Sequence, residues 1–121
     1  MPAFVLTVIR EEFRVHPKNT EVSIGSDAVI ECQPPKGQPE PQIRWKKDDA
    51  FIDVNERLFI DDIGWLHIDD ARKEDAGLYV CVAYNIGGER DSTAARISIR
   101  GIRLIEILFD IYCLFYYCGD E

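Results

Sequence analysis

The stretch Asp75-Ala76-Gly77-Leu78-Tyr79-Val80-Cys81 decides how this chain is read. Its second half continues as an alternating run to Tyr84. The two-residue period of a strand sends Tyr79, Cys81 and Ala83 to one face and Val80, Val82 and Tyr84 to the other. Asn85-Ile86-Gly87-Gly88 then turns the chain, its glycines supplying positive φ, into a partner strand over residues 92–99. Upstream, short runs of the same kind recur at residues 13–16, 21–24, 28–33, 42–47, 58–60 and 65–68, separated by turn residues. Pro34, Pro35, Pro39 and Pro41 make the segment before residue 42 a loop, because proline has no amide to give to a ladder. Seven or eight short strands in fewer than ninety residues predict one all-β sandwich of two antiparallel sheets with Greek-key connections.

Cys32 lies 13 residues before Trp45, and Cys81 closes the D-x-G-x-Y-x-C run. This constellation resembles the immunoglobulin fold, in its intermediate set. The resemblance implies a disulfide between Cys32 and Cys81 across sheets about 10 Å apart. It also implies that Trp45 packs on the bridge and that the Tyr79 hydroxyl turns back to the backbone. Alternation puts Leu66 and Ile68 inward, and Arg57 opens a strand near Asp75, which predicts an ion pair at the lower end of the sandwich. Together with Gly77, these residues build the fold and carry no chemistry.

Several motifs are more specific. Glu11-Glu12-Phe13-Arg14 ahead of Pro17, ECQPPKG at residues 31–37, Pro39-Glu40-Pro41, Trp45-Lys46-Lys47-Asp48 and CVAYNIGGER at residues 81–90 together resemble the second immunoglobulin domain of roundabout receptors. That family implies a multi-domain, single-pass neuronal guidance receptor at the cell surface, with adjacent immunoglobulin domains, that binds Slit with heparan sulfate as co-ligand. Its principal Slit contact lies on the first domain, so no Slit-contact residue carries over. The resemblance covers residues 13–100. Residues 1–12 are similar only to an interdomain linker, and residues 101–121 match nothing in the family, so the sequence reads as a fragment or a truncated gene product. The alternatives are a similar domain of a muscle filament protein, or an ectodomain piece of another adhesion receptor or of a receptor kinase.

The chain has 121 residues and a formal charge of −8, with sequence pI near 4.7. One domain fits in that length. The acidic balance argues against nucleic acid, which is bound through a surplus of Lys and Arg. The serines lack a G-x-S-x-G elbow, and His16 and His67 have no nucleophile's context. No zinc-ligand spacing exists, and Asp48-Asp49, Asp61-Asp62 and Asp69-Asp70 sit where solvated turn acids are common. The reading is therefore a non-enzyme without cofactor or metal. The apolar start, residues 3–9, makes no convincing signal peptide, and the apolar tail is too short for a transmembrane helix.

Two surfaces are candidates for binding. On the first, Arg44, Lys46 and Arg96 should border an apolar centre of Val80, Val82 and Tyr84, with Lys36 and Lys47 completing a basic set for a protein partner or a glycosaminoglycan. On the opposite sheet, Trp65 and His67 should face outward, with Phe59 beside Trp65. From Gly101 the alternation stops, and the apolar run carrying Cys113 and Cys118 is expected to coil, form a short helix or adhere to Trp65 and Phe59. The alternative makes the two cysteines an intermolecular disulfide or a lipidation pair.

Overall fold

The structure, a computed structural model, describes residues 12–101 and 104–116. Its strands are β1 (Thr20–Ser23), β2 (Ala28–Ile30), β3 (Gln42–Lys47), β4 (Ala50–Phe51), β5 (Leu58–Ile60), β6 (Leu66–Ile68), β7 (Gly77–Asn85), β8 (Gly88–Asp91) and β9 (Ala95–Arg100). A helix, α1 (Leu104–Phe115), follows them. One sheet runs β1-β9-β7-β3-β4, with β8 also paired to β7, and the other runs β2-β6-β5. Trp45, Leu66, Ile68, Tyr79 and Ile97 fill the space between them, each almost completely buried. Cys32 and Cys81 are bridged with Cα atoms 6.5 Å apart, inside the range a disulfide spans without moving backbone.

Four features depart from the sequence reading. The expected strand at residues 13–16 is reduced to a single bridge between Val15 and Gln33. Beyond Pro17 the chain crosses to the other sheet. There β1 pairs with β9 in parallel, the exception to an otherwise antiparallel molecule. Asn19 helps that crossing by accepting the Arg96 amide at 2.8 Å. The strand expected at residues 92–99 starts late, at Ala95, because Ser92 takes the Cys81 amide on its Oγ at 2.9 Å while donating its own amide to the Cys81 carbonyl. The strand that pairs with the upper half of β7 is therefore β8, and of the two glycines in the β7–β8 turn only Gly88 has positive φ.

The fourth departure is β4. Asp48 and Asp49 both hold positive φ, 50° and 73°, which closes a two-residue hairpin between Lys47 and Ala50. Asp48 then accepts the Leu78 amide on Oδ1 at 2.9 Å. A Cβ on Gly77 would stand 2.8 Å from Asp48 Oδ2, so any other residue at this position of the deciding run would have to displace this carboxylate.

The lower end of the sandwich is closed by a paired fork. Arg57 Nη1 and Nη2 donate to Asp75 Oδ2 and Oδ1 at 2.7 and 2.9 Å, and Arg57 Nη1 also reaches the carbonyls of Asp69 and Asp70. Asp75 takes the Arg72 amide as well, and the Tyr79 hydroxyl donates to the Asp75 carbonyl at 2.6 Å. Burial alone would push the Asp75 carboxyl up, but the hydrogen bonds from Arg57 and Arg72 outweigh it and hold the group below the ordinary carboxylate range. Burial raises the Tyr79 phenol well above its usual value, keeping it a neutral donor.

Within the tail, the described residues Leu104–Phe115 form the helix α1. Its described apolar side chains are largely exposed, with Leu114 at 80% and Phe115 at 75%. Cys113 is disulfide-bonded; Cys118 lies outside the described residues. Among the described residues, no helix is long and apolar enough to cross a membrane.

Candidate binding face

The outer face of the larger sheet is built by register. Arg44 lies opposite Val82 and Lys46 opposite Val80 on β7, Arg96 of β9 lies opposite Leu78, and Phe51 of β4 lies opposite Lys46. Period two then puts Arg44, Lys46, Val80, Val82, Tyr84 and Arg96 on one side. The Arg44 guanidinium sits 4.4 Å from the Phe51 ring centroid and 4.7 Å from that of Tyr84, while Lys46 Nζ lies 5.0 Å from Phe51. Tyr84 is held in turn by its hydroxyl donating to Gln42 at 3.1 Å. Aromatic faces attract cations, so Arg44 is fixed as a flat, exposed plate rather than a mobile chain. Glu89, 3.8 Å away, offsets part of its charge.

Three of the residues predicted for this face behave differently. Val82, expected in an open apolar centre, is fully buried. It sits on a central strand between Arg44 on β3 and Asp91 on β8, so a paired strand flanks it on both sides. Val80 and Tyr84 are half-buried, and the face is a polar and aromatic ridge with no open apolar patch. Lys47 shares the inward side of β3 with Trp45, and its ammonium donates to the Glu74 carbonyl, so it caps the fold and does not join the patch. Lys36 is exposed on the proline-rich loop, off the sheet.

The second surface differs by two positions in register. Phe59 lies opposite His67, not Trp65, and the two rings stack at 4.6 Å. His67 Nε2 meets Asp61 Oδ2 at 2.8 Å, while Asp61 Oδ1 accepts the Ile63 and Trp65 amides at 3.0 Å each. Burial acts to raise the Asp61 carboxyl, but the His67 bond and these two amides prevail and keep it below its ordinary value. Trp65 instead lines a cleft of about 630 Å³ between the proline-rich loop and the turn at residues 61–64, with Arg14, Glu40 and Ile63 among its walls. Arg14 is anchored there by the Pro34 carbonyl at 2.6 Å and Glu40 at 2.9 Å. The described residues contain no cluster of metal-ligating side chains.

The Immunoglobulin I-set domain family matches residues 11–98. The chain belongs to the immunoglobulin I-set family. It is 45% identical to human Roundabout homolog 2 over 94 residues, which is 78% of this chain and 7% of that protein. It is 43% identical over 96 residues to Protein sax-3 of Caenorhabditis elegans, again 78% of this chain and 8% of that protein. These identities fit a roundabout-family immunoglobulin domain, and the chain spans less than a tenth of the length of these relatives. Among solved structures, the tandem Ig repeats of Dlar superpose with a TM-score of 0.69 at 31% identity, covering 73% of this chain and 46% of that one. Sidekick-1 immunoglobulin domains 1-4 give 0.66 at 28% identity, covering 74% and 24%.

In this I-set domain the cleft wall and the core share one residue. Gly64 holds φ +94°, and its carbonyl accepts the Trp45 indole N–H at 2.8 Å. A Cβ there would stand 2.7 Å from Ile43 Cγ1. Gly64→Ala is expected to destabilise the I-set domain by about 2 kcal/mol, from left-handed strain plus overpacking. Chemical denaturation measures it. A loss under about 0.5 kcal/mol would show that the turn relaxes without cost.

Proposed function

We propose that this chain is an extracellular binding module of a roundabout-like axon-guidance and cell-adhesion receptor, in the position of its second immunoglobulin domain. It serves there in Slit and heparan sulfate recognition and in spacing adjacent immunoglobulin domains. Residues 13–100 are the module, residues 1–12 its linker and residues 101–121 an appendage. The observation that carries the reading is the cationic ridge, in which Arg44 lies across Phe51 and Tyr84 with Lys46 beside it. A guanidinium held flat and exposed loses little freedom on meeting a sulfate or carboxylate. The two poles of the sandwich suit spacing, since the cleft occupies one and the end of β9 leaves from the other. The Cys32–Cys81 bridge supports an oxidising compartment.

Residues 13–100 carry 12 basic and 16 acidic residues, a net of −4, so polyanion binding is local, weak and salt-sensitive. In about 0.05 M salt, where screening is slight, the chain is expected to be retained on heparin. Reversing Arg44 and Lys46 to glutamate should abolish retention, and Glu89→Gln should strengthen it by removing the offsetting acid. Unchanged elution after the double reversal would remove this ridge as the site.

A further inference from the structure

We infer that α1 docks on the surface of an electrically neutral lipid bilayer, lying in its interface without crossing it. The helix has 12 residues, roughly 18 Å at 1.5 Å per residue, against a hydrocarbon core of about 30 Å. A lone helix of that length is marginal in water unless another phase covers it. The side chains of Leu104, Leu108, Phe109, Ile111, Leu114 and Phe115 are all between 46% and 80% exposed on the chain itself. At 100° per residue they sweep an arc of roughly 220°. A protein groove or a second helix covers a stripe nearer 100° and would leave half of that arc wet. An interface into which the helix sinks covers the whole of it. Tyr112 and Tyr116, stacked at 4.7 Å, bring rings with polar tips, the side chains that suit the headgroup boundary.

Charge selects the lipid. Asp110 is the only ionised group among the described side chains of α1, and the helix contains no Lys or Arg. With −8 on the chain, an anionic surface repels it, and so does a second copy. Position agrees with docking. Ile24 donates to the carbonyl of Arg100 and Gly25 to that of Ala71, which places the end of β9 at the pole opposite the cleft.

The test is co-flotation of the full 121-residue chain with phosphatidylcholine vesicles. Most of the protein is expected to float, less with phosphatidylglycerol vesicles. Leu108→Asp with Phe115→Asp should lower the partition coefficient at least tenfold, equivalent to about 1.4 kcal/mol, with the thermal transition of the sandwich unchanged. Leu108→Gln with Phe115→Gln, which adds no charge, should lower it in the same direction. Protein that stays in the dense fraction, floats only with phosphatidylglycerol, floats undiminished in both variants, or forms a sedimenting dimer without floating overturns the inference.

Discussion

Arg57→Ala is expected to cost the sandwich about 3 kcal/mol, a fall in Tm on the order of 15 °C for a domain of this size. The loss does not come from the value of an ion pair as such, since exposed pairs contribute little. It comes from what stays behind. The Arg57 and Asp75 side chains are 18% and 3% exposed, so truncating Arg57 strands a buried carboxylate with only the Arg72 amide as donor. The same substitution frees the carbonyls of Asp69 and Asp70, which Arg57 ties to the start of β5.

The pH dependence identifies the responsible group. The folded pKa of Asp75 is depressed, so its contribution is fully present above the unfolded value near 3.9 and is lost as pH falls through the folded value. In Arg57→Ala the guanidinium that depresses it is gone. The stability difference between the two proteins should therefore be widest at neutral pH and shrink as pH drops below about 4. Denaturation series at pH 7 and pH 3 measure this. A gap of the same size at both would assign the loss to packing of the arginine stem instead.

These effects were legible in advance because the deciding residues admit one solution. Cys32, Trp45 and the run from Asp75 to Cys81 must meet between two sheets, and Arg57 needs only strand order to find Asp75. The illegible features depend on neighbours distant in sequence. Asp48-Asp49 lacks the glycine that announces a primed turn, and Asp48 finds its partner, the Leu78 amide, 30 residues later. Val82 reads as outward by period two, which is the side it takes, but its burial follows from β8, which forms at Gly88–Asp91, between the expected turn and the strand expected at residues 92–99. Phe59 meets His67 because the turn at residues 61–64 sets the β5–β6 register, and a shift of two residues, which keeps the same face outward, is what would bring Trp65 there instead. The tail loses alternation plainly, yet an apolar run of that length looks alike as helix and coil until its backbone is seen.

Replacing both Cys32 and Cys81 with alanine is expected to lower stability by about 4 kcal/mol, the chain-entropy value for a loop of 49 residues. That is a large part of the 5–15 kcal/mol a domain commonly has, so the variant should unfold on the order of 20 °C lower or fail to fold at physiological temperature. The double substitution is a cleaner test than a reducing agent, because Cys113 is also disulfide-bonded and reduction would alter α1 together with the core. Removing both sulfurs leaves Trp45 without the group it packs on, but its indole N–H keeps the Gly64 carbonyl, so the register of β3 should survive in the folded fraction. The size of the loss also bears on where the chain works. A domain that needs its bridge persists only in an oxidising compartment, as the cell-surface proposal requires. A double variant within about 1 kcal/mol of the parent, or native protein whose Cys32 and Cys81 are free thiols by non-reducing mass measurement, would instead favour a cytosolic filament domain of the same set.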